Sequence, residues 1–374
     1  MSRVRIRPRE YGRPVTTADL PIGDQMHELL DRRIEAQEPP PFQAEQPILT
    51  VENLKMHFPV RGGWLRGRGL SVKAVDGVSF QIQKGETLGL VGESGSGKST
   101  IGNCVMRNCQ ITSGSLRYHG QDITRLGKRE LRTLHRSLQM ITQDPFSSLN
   151  PRMTIHEIIL EGPQIHRTAG TEAEQLELSA QMLELVGLNP AFSNRYPHEF
   201  SGGQRQRISI ARALAMKPSF LVCDEIVSAL DVSIQAQIVG LMMKLQEELG
   251  LTYIFIGHDL SVVRHISHHV AVMYLGKIVE LTNSDELYQH PVHPYTQALI
   301  SAAPIPNPAV DRARKRILLE GEIPSPIHPP EGCRFCTRCR YADQRCREEE
   351  PAFVDVGGNH FVACHRVTAQ KGEH

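Results

Sequence analysis

The chain has 374 residues, 40% hydrophobic and 22% charged, with 42 basic against 41 acidic side chains and a formal charge of +1. That balance describes a globular protein long enough for two or three units, and it excludes a disordered polyelectrolyte and a strongly basic nucleic-acid binder. No apolar run approaches the roughly 18 residues of a membrane span, so a membrane role has to come through a partner.

Residues 1 to 46 carry Arg3, Arg5, Arg7 and Arg9 without the apolar stretch of a secretory signal, so the chain is expected to stay where it is made. Met26, Leu29, Leu30 and Ile34 recur at helical spacing behind Asp24, which predicts a short helix; a disordered tail closing on Glu38-Pro39-Pro40-Pro41 is the other reading. From Ile48 the pattern turns to β. Ile48 to Val51 and Val72 to Ile82 read as antiparallel strands about the basic turn Arg61 to Arg68, a lid suited to a nucleotide base. Phe58 is the aromatic placed to stack on adenine, although an aromatic in a strand more often serves the core.

The apolar run Leu88-Gly89-Leu90-Val91 then delivers Gly92-Glu93-Ser94-Gly95-Ser96-Gly97-Lys98-Ser99-Thr100, the strand, glycine-rich turn and helix start of a phosphate-binding loop. Gly92, Gly95 and Gly97 let backbone N–H groups turn inward around a polyphosphate, and the helix opening near Lys98 aims its positive end at the same point. Lys98 reaches the β- and γ-phosphates, and the Ser99 hydroxyl holds Mg²⁺. After strands over Ser115 to His119 and Gln139 to Thr142, Gln143 falls at a strand's carboxyl end, where it can orient water or bind Mg²⁺.

Residues from about 150 to 217 read as an inserted helical lobe, on the spacing of Ile155, Ile158 and Ile159 and of Leu176, Leu178, Met182, Leu183 and Val186. The lobe closes on Ser201-Gly202-Gly203-Gln204, ahead of a helix over Ile208 to Ala215. This is either a second anion site or a plain helix cap. Ser219 to Cys223 is a buried parallel strand ending in two acids: Asp224 is placed to hold Mg²⁺ through water, and Glu225 to polarise an attacking water. Asp231 leads into the next helix, and the strand Tyr253 to Gly257 ends at His258, a third polar residue at the same sheet edge. Beyond Pro304 a proline-rich segment precedes Cys333, Cys336, Cys339, Cys346 and Cys364. In a reducing cytosol such crowding reads as metal ligation, and four thiolates suit an iron–sulfur cluster or Zn²⁺, with free thiols as the remaining alternative.

Together these motifs resemble the ATP-binding cassette (ABC) family of transporter ATPases. Gly92 to Ser99 resembles the Walker A loop, Gln143 the Q-loop, Ser201 to Gln204 the signature, Leu221 to Asp224 the Walker B strand, Glu225 the catalytic carboxylate, Asp231 the D-loop acid and His258 the switch histidine. The resemblance implies an α/β P-loop cassette over residues 47–300: a RecA-like core with an antiparallel β subdomain and a helical subdomain. It is flanked by an N-terminal extension, 1–46, and a cysteine-rich extension, 301–374. It implies an ATPase whose two cassettes close head to tail, each ATP lying between the Walker A loop of one and the signature of the other. Nucleotide then meets Phe58, Gly92, Glu93, Ser94, Gly95, Ser96, Gly97, Lys98, Ser99 and Thr100 on one cassette, and Ser201, Gly202, Gly203, Gln204 and Asp231 on the facing one. Mg²⁺ falls to Ser99, Gln143 and Asp224, and catalysis to Glu225, His258 and Gln143.

A narrower likeness runs from about Ile48 to Val367. Gln143 to Thr154, Val227 to Gln237 and His293 to Leu299 are similar to the oligopeptide/dipeptide/nickel importer ATPases of bacteria, Ile226 departing from the expected proline or alanine. That likeness implies a 4Fe-4S cluster on Cys333, Cys339, Cys346 and Cys364, with Zn²⁺ as runner-up and Cys336 spare. It also implies a second ATPase subunit, a copy or a paralogue, two transmembrane permease subunits and an extracytoplasmic solute-binding protein. The expected location is peripheral, on the cytoplasmic face of the bacterial inner membrane. The implied solute is a peptide; nickel, glutathione, an opine or an oligosaccharide would use the same ATPase. Exporters and soluble ABC ATPases fit less well: Lys98 and Ser201 are too close for the coiled coil of a chromosome-maintenance ATPase, and no second P-loop appears.

Overall fold

The computed structural model describes residues 47–60, 70–144, 148–303 and 316–370. The expected helix around Met26 to Ile34, the basic turn Arg61 to Arg68 and Pro145 to Ser147 lie outside the described residues. In chain order the strands are β1 (Leu49–Pro59), β2 (Ser71–Ile82), β3 (Thr87–Val91), β4 (Ser113–Tyr118), β5 (Gln121–Asp122), β6 (Leu138–Ile141), β7 (Phe220–Asp224), β8 (Thr252–Ile256), β9 (His269–Tyr274), β10 (Lys277–Asn283), β11 (Phe353–Asp355) and β12 (Phe361–Ala363).

Two sheets form. One is antiparallel, in the order β2-β1-β4-β5; the other has eight strands, in the order β11-β12-β10-β9-β3-β8-β7-β6. Within the second, β6, β7, β8, β3 and β9 run parallel. Parallel strands are covered on both faces, so their sequences are continuously apolar. Alternate residues feed two cores. Leu221, Cys223, Tyr253 and Phe255 face the helical lobe and the helix Val232–Leu249, whereas Phe220, Val222, Ile254 and Ile256 face the helix Lys98–Val105 and the antiparallel sheet.

The lobe consists of the helices Ile155–Ile165, Glu172–Leu185 and Gly202–Leu214, the last two joined through two short 3₁₀ turns. Each helix is started by a reciprocal capping box: Thr154 with Glu157, Thr171 with Glu174, and Ser201 with Gln204. The last helix therefore begins at Gly202, earlier than the expected Ile208, because the Ser201 cap fixes its start.

The cysteine-rich extension joins the main sheet. β12 pairs antiparallel with β10 through Glu280–Val362 and Leu281–Phe361, and β11 pairs with β12. Beside this junction the fully buried Glu280 carboxylate accepts the N–H groups of Val292 (2.8 Å) and His293 (2.9 Å) and bonds His360 Nε2 at 2.7 Å. Burial alone would raise its pKa, but the bonds from His360 and the Val292 N–H outweigh burial and hold the carboxyl below its ordinary value. His293 accepts the Tyr295 N–H at Nδ1 (3.1 Å) and caps the helix Pro294–Ala302.

Burial pushes the His293 imidazole from 6.5 down to about 4. An unfolded chain takes a proton at His293 near 6.5, well before the folded chain does, and one at Glu280 near 4.5, again before the folded chain. Stability is therefore expected to fall as pH drops from about 6.5 toward 4. Denaturant unfolding between pH 7.5 and 4.5 should show that loss, and His293→Asn, which keeps a capping oxygen, should make the slope shallower. An unchanged slope in the variant would contradict the assignment.

Candidate functional site

Register sets the site. Leu90 and Asp224 both lie opposite Ile256, the Gly257 N–H donates to the Leu90 carbonyl at 3.1 Å, and the Glu225 N–H donates to the Ile256 carbonyl at 3.0 Å. The loop after β3, the acids after β7 and His258 after β8 thus stand side by side at the carboxyl edge of the sheet.

The loop is seated by glycine. A Cβ on Gly92 would lie 2.2 Å from the Met273 carbonyl oxygen, and one on Gly97 2.2 Å from that of Ala74. Gly97 has φ of +108° at the cap of the helix Lys98–Val105. Inside the loop the buried Lys98 Nζ donates to the carbonyls of Gly92 (2.8 Å) and Glu93 (3.0 Å). Burial lowers the Lys98 pKa, against the opposing charges of Glu225, Asp224 and Glu93. Ser99 Oγ donates to Asp224 Oδ1 at 2.8 Å. The Asp224 carboxyl is raised by burial and by the Glu225 charge, which outweigh Ser99 and Lys98.

Glu225 has φ of +49°, a left-handed conformation uncommon for glutamate. It is fixed there by its own N–H bond to Ile256 and by the Ser228 N–H and Oγ on its carbonyl (3.1 and 2.9 Å). Backbone strain that the surroundings hold in place marks a side chain whose aim matters. Gln143 Nε2 donates to Glu225 Oε2 at 2.8 Å, and His258 Nδ1 stands 4.0 Å from the same oxygen. Ser99, Asp224 and the Gln143 amide supply hard oxygen donors. Two adjacent carboxylates facing one lysine leave negative charge that a divalent cation would balance, so the residues fit Mg²⁺.

The other expected residues divide into two groups. Phe58, in β1, is 41% exposed, which takes it out of the core and leaves its ring available. Ser201 Oγ accepts the Gln204 N–H (3.4 Å) and Gln204 Oε1 accepts the Ser201 N–H (3.0 Å), so this serine is a helix cap and also exposed. A Cβ on Gly203 would lie 2.6 Å from Ile234, so the signature packs on the helix that Asp231 begins. Asp231 is exposed and its side chain makes no capping bond. The structure brings Gly92 to Thr100, Gln143, Asp224, Glu225 and His258 to one sheet edge, and sets Ser201 to Gln204 beside Asp231 on the lobe side.

Four cysteines cluster in the extension. The Cys333 N–H donates to the Cys346 carbonyl at 2.8 Å; the Cys364 thiol lies within electrostatic range of Cys333, Cys339 and Cys346, and the Cys346 thiol within range of Cys333 and Cys339. Burial is the largest cause raising all four, and a neighbouring thiol adds to it at each, at Cys339 that of Cys336; Cys333 is pushed up to about 12 and Cys364 to about 11. A set of buried and partly buried thiols whose neighbours oppose their ionisation is the donor chemistry a cationic centre reverses. Cys336 also acts on Cys333 and Cys339. Among the described residues, no three His, Cys, Asp or Glu side chains converge as they would on a single metal ion.

Sequence reasoning missed the residues behind the loop. Arg338 bonds the Glu93 carboxylate through both terminal nitrogens (2.7 and 3.1 Å), and Tyr295 OH accepts the Glu93 N–H at 2.9 Å. Their only sequence signal was position: Arg338 adjoins Cys339, and Tyr295 sits in the His293-Pro294-Tyr295 run.

Comparison with known proteins gives a consistent result. Residues 75–228 match the ABC transporter family, and residues 279–346 match the C-terminal region of oligopeptide/dipeptide transporters. The putative oligopeptide transport ATP-binding protein YkfD of Bacillus subtilis is 55% identical over 319 residues, covering 85% of this chain and 95% of YkfD. The oligopeptide transport ATP-binding protein AppF of the same organism is 53% identical over 322 residues, covering 86% and 98%. Among solved structures, the ATP-binding cassette MJ0796, a dimer in a post-hydrolysis state bound to ADP and Pi, superposes with a TM-score of 0.57. It is 27% identical and covers 63% of this chain and 98% of that one.

The tight seat of the loop yields a test. Gly97→Ala should cost about 2 to 4 kcal/mol, from backbone strain plus displacement of the Ala74 carbonyl. Denaturant unfolding measures this, and wild-type stability in the variant would contradict the described seat.

Proposed function

Because the chain belongs to the ABC transporter family, and within it to the oligopeptide/dipeptide transporter ATP-binding proteins, we propose that it powers a bacterial peptide importer from the cytoplasmic face of the inner membrane. It is an ATPase, and as an ABC ATPase it uses ATP with Mg²⁺. The observation that carries the reading is the split in the site: phosphate loop, paired acids and His258 at one sheet edge, with an exposed signature serine on the lobe.

In this reading the loop N–H groups from Gly92 to Thr100 and the Lys98 ammonium hold the phosphates, and Phe58 stacks on the adenine. Ser99, Asp224 and Gln143 hold Mg²⁺, which when bound neutralises phosphate charge. Glu225 polarises a water in line with the γ-phosphate, aimed by its left-handed backbone and its Gln143 bond. His258 contacts the γ-phosphate. Ser201, Gly202, Gly203 and Gln204 of a facing cassette, a second copy or a paralogue, close over the nucleotide, with Asp231 at the same interface. The dimeric arrangement of MJ0796 supports this.

Closure reaches two permease subunits through the lobe. Arg212 braces it, bonding the Ser148 carbonyl just past the Q-loop and Glu161 of the first lobe helix, each at 2.7 Å. No helix among the described residues is long and apolar enough to cross a membrane. A separate extracytoplasmic protein selects the solute. The names of the relatives support a peptide, and another small solute would leave this subunit's role unchanged.

The extension holds a 4Fe-4S cluster through Cys333, Cys339, Cys346 and Cys364. Four thiolates are the donor set such a cluster takes, and Zn²⁺ is the runner-up on the same residues. When bound, it cross-links the loop after Gly332 to the segment around β12, a structural role.

Two outcomes test the reading. Glu225→Gln should retain ATP while hydrolysis falls by about 10² to 10⁴; turnover at the wild-type rate would overturn the role of Glu225. Protein purified without oxygen should be brown and contain about four irons per chain. Colourless, iron-free protein would remove the cluster.

A further inference from the structure

We propose that Arg338 and Arg334, in the cysteine-rich extension, are positioning residues for ATP, bracing the phosphate loop and the base-side sheet from behind and so setting nucleotide affinity. The inference rests on the ATP-binding reading above.

Four contacts carry it, all from residues 326–338. First, Arg338 grips Glu93, the second residue of the phosphate loop, with a two-bond fork, and its side chain is only 8% exposed. A bidentate pair with a buried guanidinium is directional and largely shielded from solvent, unlike an exposed surface pair. Second, Phe335, 1% exposed, completes a trio with Tyr274 and Tyr295, at centroid separations of 5.2 and 5.3 Å. Tyr295 then takes the Glu93 N–H, so Glu93 is held at both backbone and carboxylate by groups the extension buttresses.

Third, the buried Arg334 pairs with Asp76 of β2, whose other oxygen bonds His57 Nε2 at 3.0 Å. His57 immediately precedes Phe58 in β1. The same β2 supplies the Ala74 carbonyl on which Gly97 sits. Fourth, the Lys73 N–H of β2 donates to the Pro326 carbonyl at 3.0 Å.

The extension therefore touches the loop at its phosphate end and the sheet at its base end, acting through Glu93 and Asp76. A loop already held in its bound shape gives up less conformational freedom when ATP arrives, so the bracing appears as affinity. Simple structural glue would lower thermal stability and leave the nucleotide constants alone.

The test uses the full-length chain assembled with its partner ATPase and permease subunits. The readouts are the dissociation constant of a fluorescent ATP analogue, the KM and kcat for ATP, and the melting temperature. Arg338→Ala should raise the dissociation constant and KM about tenfold, with kcat changed by no more than about twofold. Arg338→Lys, which keeps the charge but not the two-bond fork, should fall between variant and wild type. Glu93→Gln should reproduce the shift from the other side, and the Glu93→Gln, Arg338→Ala double variant should bind no more weakly than either single one. Wild-type protein that fails to bind ATP would sink the ATPase reading itself. If the wild type binds and the Arg338 and Glu93 shifts are absent or simply additive, this inference alone is overturned. Should Arg338→Ala not fold, Arg338→Lys and Glu93→Gln carry the same comparison.

Discussion

A strand buried on both faces has no place for an unpaired charge along its length, so its charged residues emerge at its end. Here β3, β7 and β8 run parallel and adjacent, and what emerges at their shared carboxyl edge is a phosphate loop, two acids and a histidine. Register does the rest, since Leu90 and Asp224 both face Ile256. The Ser99 bond to Asp224 and the Glu225 N–H bond to Ile256 join neighbouring strand ends that this alignment brings side by side. The cost of burying this edge is visible in the upward shift of Asp224 and the downward shift of Lys98, both led by burial, while the attraction between Lys98 and the acids opposes each shift.

Such a site is legible in sequence because each part is local. A short apolar strand, a glycine-rich turn and a helix start occupy consecutive residues, and the Ser201 cap lies within four residues of its partner Gln204. The double reading of Ser201, as cap or anion contact, reflects a real coincidence: the hydroxyl that starts the helix is also exposed. The left-handed backbone of Glu225 had no such signal, because a conformation unusual for glutamate is imposed by a neighbouring strand and a downstream serine.

What could not be read is long range. Arg338 and Glu93 are 245 positions apart, and Arg334 and Asp76 are 258 apart. No spacing rule connects residues at that distance; they meet where the extension packs on the main sheet, Phe335 against Tyr274 and Tyr295 and β12 on β10. Composition set residues 301–374 apart as a cysteine-bearing tail. Packing makes part of it the edge of the central sheet, fixed by the buried Glu280, His293 and His360 cluster. Cys333 and Cys339 share one short loop with Arg334 and Arg338, so the order of that loop and the order of the phosphate site are physically linked.

The central claim is that the catalytic edge and the signature are halves of two different sites, each completed by a facing cassette. Ser201→Asp isolates it, because aspartate still caps the helix while setting a carboxylate against the γ-phosphate of the opposite nucleotide. The measurement is steady-state ATP hydrolysis by the assembled transporter carrying this change on both facing cassettes. The account predicts near-complete loss of turnover with ATP still bound to the Walker A loop; undiminished hydrolysis would contradict it.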